Sequence, residues 1–76
     1  MTKVEFIKDL AAVLNEPEEK LVPGLKLETI ESWDSTAALG VIAILEGSVG
    51  VEVAPDQVAE CKSIQDIMNL AQGKLT

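Results

Sequence analysis

The chain has 76 residues, 47% of them hydrophobic and 25% charged, which makes one small domain with enough apolar side chains to fold and too few residues for a second core. Six lysines against thirteen carboxylates give a net charge of −7, so nucleic acid, which is bound through basic groups, is not an expected partner and a basic protein surface is the better match. Histidine, tyrosine and arginine are absent and Cys61 is the lone cysteine, which excludes an internal disulfide and a multi-cysteine zinc site, removes the usual general base, and makes a self-contained enzyme a poor expectation.

The charge is spread along the chain, with four lysines and eight acids in residues 1–36 and two and five in residues 37–76, so there is an acidic globule and no acidic tail. A single cysteine fits a reducing compartment. The start, Met1-Thr2-Lys3-Val4-Glu5, has no basic stretch leading into an apolar run, and the most apolar segment, Thr36 to Leu45, is about half the length a bilayer requires. A cytoplasmic chain without a membrane span is expected.

Thr2 and Glu5 form a Thr-x-x-Glu capping box, which starts a helix. Val4, Ile7, Leu10, Ala11 and Leu14 then recur at steps of three and four, widened by Phe6 and Val13, and predict an amphipathic helix over roughly residues 3–15 that Pro17 ends. Residues 16–33 are a long connection with Pro17, Pro23 and Gly24 and without a sustained period. Its apolar residues, Leu21, Val22, Leu25, Leu27, Ile30 and Trp33, point to a segment draped over the helices as core cover. Trp33 reads as a core anchor or as a staple ahead of the next helix.

Asp34 and Ser35 both favour helix starts, and Thr36 to Glu46 follows as a helix apolar nearly all round, which must be buried or present one face to a partner. Gly40 and Gly47 stand seven residues apart on nearly one face and suggest close approach of another backbone. Val49-Gly50-Val51-Glu52-Val53 alternates as a strand would, but no second strand is available, so it is expected as extended loop that drops valines into the core. Pro55 opens a short helix to about Glu60 with Val58 inward. Ser63 and Asp66 cap a last helix that carries Ile64, Ile67, Met68 and Ala71 and closes at Gly73. The expected fold is all-α, a small irregular four-helix bundle with a long loop between helices 1 and 2; the alternative is an α+β miniature built on the valine segment.

No nucleophile–base pair is available: Ser35 has no histidine to activate it, and Cys61 reads as a small apolar packer. The acidic pairs Glu18-Glu19 and Asp56 with Glu60 lack calcium-loop spacing and read as solvated charge, so no metal centre is expected.

The order Trp33-Asp34-Ser35-Thr36 at the head of an apolar helix, then Ile44-Leu45-Glu46, Val49-Gly50-Val51-Glu52-Val53, Pro55-Asp56 and a capped final helix resembles the acyl carrier protein family over nearly the whole chain. In that family an Asp-Ser-Leu motif opens the second helix of a four-helix bundle, and its serine is esterified by 4′-phosphopantetheine taken from coenzyme A. The resemblance implies that Ser35 is the attachment residue and that Asp34 helps hold the magnesium of a separate phosphopantetheinyl transferase. It also implies a carrier, not a catalyst, that holds acyl groups as thioesters for loading and processing enzymes. A monomer is expected. A serine at a helix N-terminus suits a phosphodiester, because free N–H groups and the helix dipole favour negative charge there.

The sequence departs from the family pattern at the residue after the serine, Thr36 in place of leucine, and at Ala37, Gly40 and Gly47, where fatty-acid carriers place carboxylates. With Asp34 and Glu46 left, the docking surface through Thr36, Leu39, Gly40 and Glu46 is smaller and more apolar, which alters partner choice more than fold. A specialised lipid, polyketide or secondary-metabolite pathway is the implied setting. Leu39, Ile42, Ile44, Val58, Ile64 and Met68 are the expected lining of an acyl cavity. Two other readings share the residues: a carrier-like interaction module that is never modified, and an aminoacyl or D-alanyl carrier.

Overall fold

The computed structural model describes all 76 residues as four α-helices with no strand: α1 (Lys3–Leu14), α2 (Ser35–Ile44), α3 (Pro55–Ala59) and α4 (Ile64–Asn69). Helix α1 begins as its capping box dictates. Thr2 Oγ1 accepts from the Glu5 N–H at 3.1 Å, and Glu5 Oε1 accepts from the Thr2 N–H at 3.0 Å. These bonds to Thr2 also hold the Glu5 carboxyl below its ordinary pKa. Phe6, Leu10, Ala11 and Leu14 form its buried stripe. The helix stops two residues before Pro17: Asn15 takes the left-handed conformation at φ 55°, and the Asn15 and Glu16 N–H groups both donate to Ala11 O. Asparagine tolerates that region better than most residues, so the stop is an αL cap and the proline only follows it.

The connection packs as its composition requires. Short 3₁₀ turns at Glu18–Lys20 and Leu27–Thr29 fold it inward, with Leu21, Leu27 and Ile30 buried and Val22 exposed. Its middle is tied to the head of α4 by an antiparallel bridge between Lys26 and Ser63. The Leu27 N–H donates to Lys62 O at 2.9 Å, the Ile64 N–H to Leu25 O at 3.1 Å and the Gln65 N–H to Pro23 O at 2.9 Å. At its far end the Ser32 hydroxyl donates to Leu14 O, an open carbonyl of the last turn of α1. The radius of gyration, 10.8 Å, is at the value of about 11 Å expected for a packed chain of this length, so the long connection adds no protruding arm.

Helix α2 packs against α1 and α3 and buries Ala37, Val41 and Ile44. Its α-helical part ends at Ile44, earlier than the expected Glu46, and continues as a single π turn, Leu45–Val49, closed by Gly50 at φ 84°. Glycine adopts that left-handed conformation without a Cβ clash. Val49 therefore belongs to the turn and not to the extended segment, while Val51 and Val53 enter the core as expected. The two glycines of this region differ from expectation. At Gly40 a Cβ would lie 2.7 Å from Val13 Cγ1, so the close approach is to a side chain of α1 and not to a backbone; Gly47 has open space around it.

Pro55 occupies the first turn of α3, and Gln57 Oε1 accepts from the Ala54 N–H at 2.8 Å. In α4 the Ser63 hydroxyl caps the Asp66 N–H at 3.3 Å, while Asp66 Oδ2 reaches back to the Lys62 N–H at 2.9 Å. Gln72 and Gly73, both at positive φ, turn the chain out of the last helix. The chain ends then meet through Lys3 N–H to Thr76 O and Thr76 N–H to Met1 O. All eighteen buried residues are apolar and form one cluster. Nine of them, among them Phe6, Leu10, Leu27, Val58, Ile64 and Ile67, are fully enclosed, each contributing about 1.5–3 kcal/mol of transfer free energy. No helix is long and apolar enough to cross a membrane.

Candidate functional site

The N-terminus of α2 brings together the residues that the sequence singles out. Asp34 is extended (φ −147°, ψ −172°), which turns its carboxylate back over the first turn, where Oδ1 accepts from the Ala37 N–H at 2.9 Å. The Ala38 N–H bonds to Asp34 O. The Ser35 and Thr36 N–H groups come too early in the helix for i−4 carbonyls and have no partner elsewhere in the chain. Ser35 and Thr36 are exposed, and the Ser35 hydroxyl bonds to nothing in the protein. The approach to this turn is fixed from behind: Ser32 is anchored to Leu14, and the Trp33 N–H donates to Ile30 O at 3.1 Å. Trp33 is half-buried against the core.

Down the helix, Thr36, Leu39, Ala43 and Glu46 follow one another at steps of three and four, and all are exposed. Leu39 is the most prominent, with 62% of its surface accessible. Gly40 lies at the edge of this row, half-buried and turned towards Val13. Ala43, absent from the surface expected from sequence, belongs to it by position. Of the residues expected to line an interior cavity, Leu39 points outwards, Val58 and Ile64 are fully enclosed in the core, Ile44 is buried, and only Ile42 and Met68 are intermediate. Leu39 therefore cannot be part of an internal lining. An amphipathic count misplaces it because α2 is apolar on every side, so the pattern does not show which side meets α1 and α3.

Chemically, the site offers a free hydroxyl on a rigid turn, two unpaired N–H groups and a carboxylate with one oxygen engaged. It holds no base beside the hydroxyl. No three Cys, Asp or Glu side chains converge as metal ligands. Cys61 is distant in sequence, buried, and donates to Gln57 O at 3.3 Å; burial first, and the charges of Asp66 and Glu60 next, push its thiol pKa up, so it is a poor nucleophile near neutral pH. No protein-family model, curated protein or solved structure significantly matches this chain.

Proposed function

We propose that the protein is an acyl carrier protein whose Ser35 oxygen takes the 4′-phosphopantetheine group of coenzyme A, its pyrophosphate bond breaking to release 3′,5′-adenosine diphosphate and the hydroxyl proton, and which then presents acyl thioesters to partner enzymes. The observation that carries the reading is an unpartnered serine hydroxyl, exposed on the first turn of α2 directly after an aspartate cap, within the residue order that resembles this family. The residues present suit the group. Ser35 supplies the ester oxygen, and the unpaired N–H groups of Ser35 and Thr36 stand where the helix dipole favours a phosphodiester. When bound, the group supplies a thiol on a flexible arm. The chain itself positions and presents: Asp34 holds the turn and leaves one carboxylate oxygen for the transferase's magnesium. The exposed row Thr36, Leu39, Ala43 and Glu46 offers partners a small, mainly apolar docking face with Gly40 at its margin.

With no base near Ser35, both the modification and the later acyl chemistry fall to separate enzymes, in a specialised lipid, polyketide or related cytoplasmic pathway. The chain acts as a monomer in this scheme. Intact mass after co-expression with a broad-specificity phosphopantetheinyl transferase tests it. The expected result is a gain of one phosphopantetheine that disappears in Ser35→Ala. A chain that gains nothing from that enzyme or from the transferases of its source organism would be an unmodified interaction module, and the carrier reading would fall.

A further inference from the structure

The last turn of α1 meets the head of α2 at two points. Ahead of the helix, the half-buried Ser32 hydroxyl donates to Leu14 O. Within it, Gly40 lies so close to α1 that an added Cβ would stand 2.7 Å from Val13 Cγ1. Ser35 lies between these points, and its Cα is no more than about 11 Å from that of Ser32. The Ser32 bond is the only hydrogen bond that joins residues 31–36 to a helix other than α2: the Trp33 N–H stays within the connection on Ile30 O, and Asp34 caps its own helix.

The end of α1 does not require this bond. The Asn15 and Glu16 N–H groups both return to Ala11 O, and Asn15 in the left-handed conformation turns the chain out of the helix without help from Ser32. Nor does the core require it, since Ile30 is buried and Trp33 packs against the core on either side of Ser32. What the bond governs is the freedom of the chain just ahead of Ser35. Asp34 is held there by one side-chain contact in a first turn, and helix ends fray. The rest of α2, with Leu39, Ala43 and Glu46 outward, is fixed independently through Gly40 and the buried Val41 and Ile44.

Resting on the carrier reading of Ser35, we infer that Ser32 is a positioning residue: its hydroxyl, bonded to Leu14 O, holds the Ser35 oxygen at a set place relative to the docking row of Leu39, Ala43 and Glu46. A transferase seated on that row then finds the oxygen within reach of the pantetheine-bearing phosphate of coenzyme A, and displacements of about 1 Å matter at that distance.

Transfer from coenzyme A to wild-type, Ser32→Ala and Ser32→Thr chains, each checked for helicity by circular dichroism, is followed by intact mass over a range of carrier concentrations with one broad-specificity transferase. Docking is untouched and only the fraction of docked carriers with Ser35 in place falls. Ser32→Ala is therefore expected to lower kcat about two- to tenfold, the range set by one ordinary hydrogen bond, with KM changed by less than about twofold. Ser32→Thr keeps the hydroxyl and should recover most of the loss. A merely structural role reads differently, because a partly unfolded carrier is a diluted substrate that raises the apparent KM and leaves kcat alone. In amide exchange of the unloaded chains, the Ala37 and Ala38 N–H groups, both bonded to Asp34, should lose protection in Ser32→Ala while the Ile67 N–H of α4 keeps it. An unchanged kcat in Ser32→Ala, a loss confined to KM, threonine as slow as alanine, or equal losses of protection at Ala37 and Ile67 would overturn the inference and leave the carrier reading standing. A wild-type chain that takes up no phosphopantetheine would remove both.

Discussion

Gly40 and Gly47 lie seven residues apart in one chain segment, yet the structure assigns opposite outcomes to the same substitution. A Cβ at Gly40 would sit 2.7 Å from Val13 Cγ1 and 3.3 Å from Cγ2. Val13 is inside α1, where a β-branched side chain has one strongly preferred rotamer, so it cannot swing aside. Bringing the closer contact to 3.4 Å requires α1 and α2 to part by about 0.7 Å across a close-packed interface, and such overpacking costs about 1–3 kcal/mol. Alanine returns up to about 1 kcal/mol of helix propensity. Gly40→Ala should therefore destabilise by about 1 kcal/mol, a fall of roughly 4–8 °C in Tm for a chain of this size. Gly47 has nothing within reach and an ordinary φ, so Gly47→Ala should stabilise by about 0.4–1 kcal/mol through the unfolded chain. Thermal and urea unfolding followed by circular dichroism, with Val13→Ala and the Val13→Ala/Gly40→Ala pair, closes a double-mutant cycle. In the Val13→Ala background the Gly40→Ala change should turn neutral or stabilising. A rise in Tm for Gly40→Ala alone, or a cost that persists without the valine methyls, would refute the clash.

Three further expectations follow from single contacts. Asp34→Ala removes the cap on Ala37 and should cost about 1 kcal/mol of stability in a denaturant melt, whereas Asp34→Asn should keep most of it; if Asn matches Asp in stability but slows phosphopantetheine loading, the carboxylate acts on the transferase and not only on the helix. Leu39→Ser changes an exposed side chain and should move stability by less than about 0.5 kcal/mol, while weakening pull-down of acyl-processing partners; an unfolded variant would show that Leu39 belongs to the core. The Cys61 thiol ionises later in the folded protein than in the unfolded chain, so its contribution is complete below the unfolded value of about 8.5 and is lost as pH rises through the folded one. Unfolding midpoints should fall over that alkaline window and fall less in Cys61→Ala; equal slopes in the two proteins would argue against the raised pKa.

The start of every helix was legible because a cap acts over three or four residues. Thr2 with Glu5, Asp34, Pro55 and Ser63 each stand where the helices begin. The ends were less so. Asn15 and the π turn before Gly50 close their helices, and their geometry depends on where the following chain must go. In the candidate site, Ser35 and Asp34 could be named from their order, but the outward row of α2 could not, since its apolar residues give no phase. The tie between the long connection and the head of α4 had no sequence signal at all: Lys26 and Ser63 are far apart in the chain and pair only when the core closes.

The amino-acid sequence by itself determined an acidic, all-helical chain, the points at which its helices start, and a serine with no histidine to activate it, because composition and capping are local properties of the chain. Only the tertiary structure decided which side of α2 faces solvent, that Gly40 is held against Val13 while Gly47 is free, and that the long connection is bridged to the head of α4. Those outcomes depend on contacts between residues distant in sequence, and burial and close packing fix them only when the whole core closes at once.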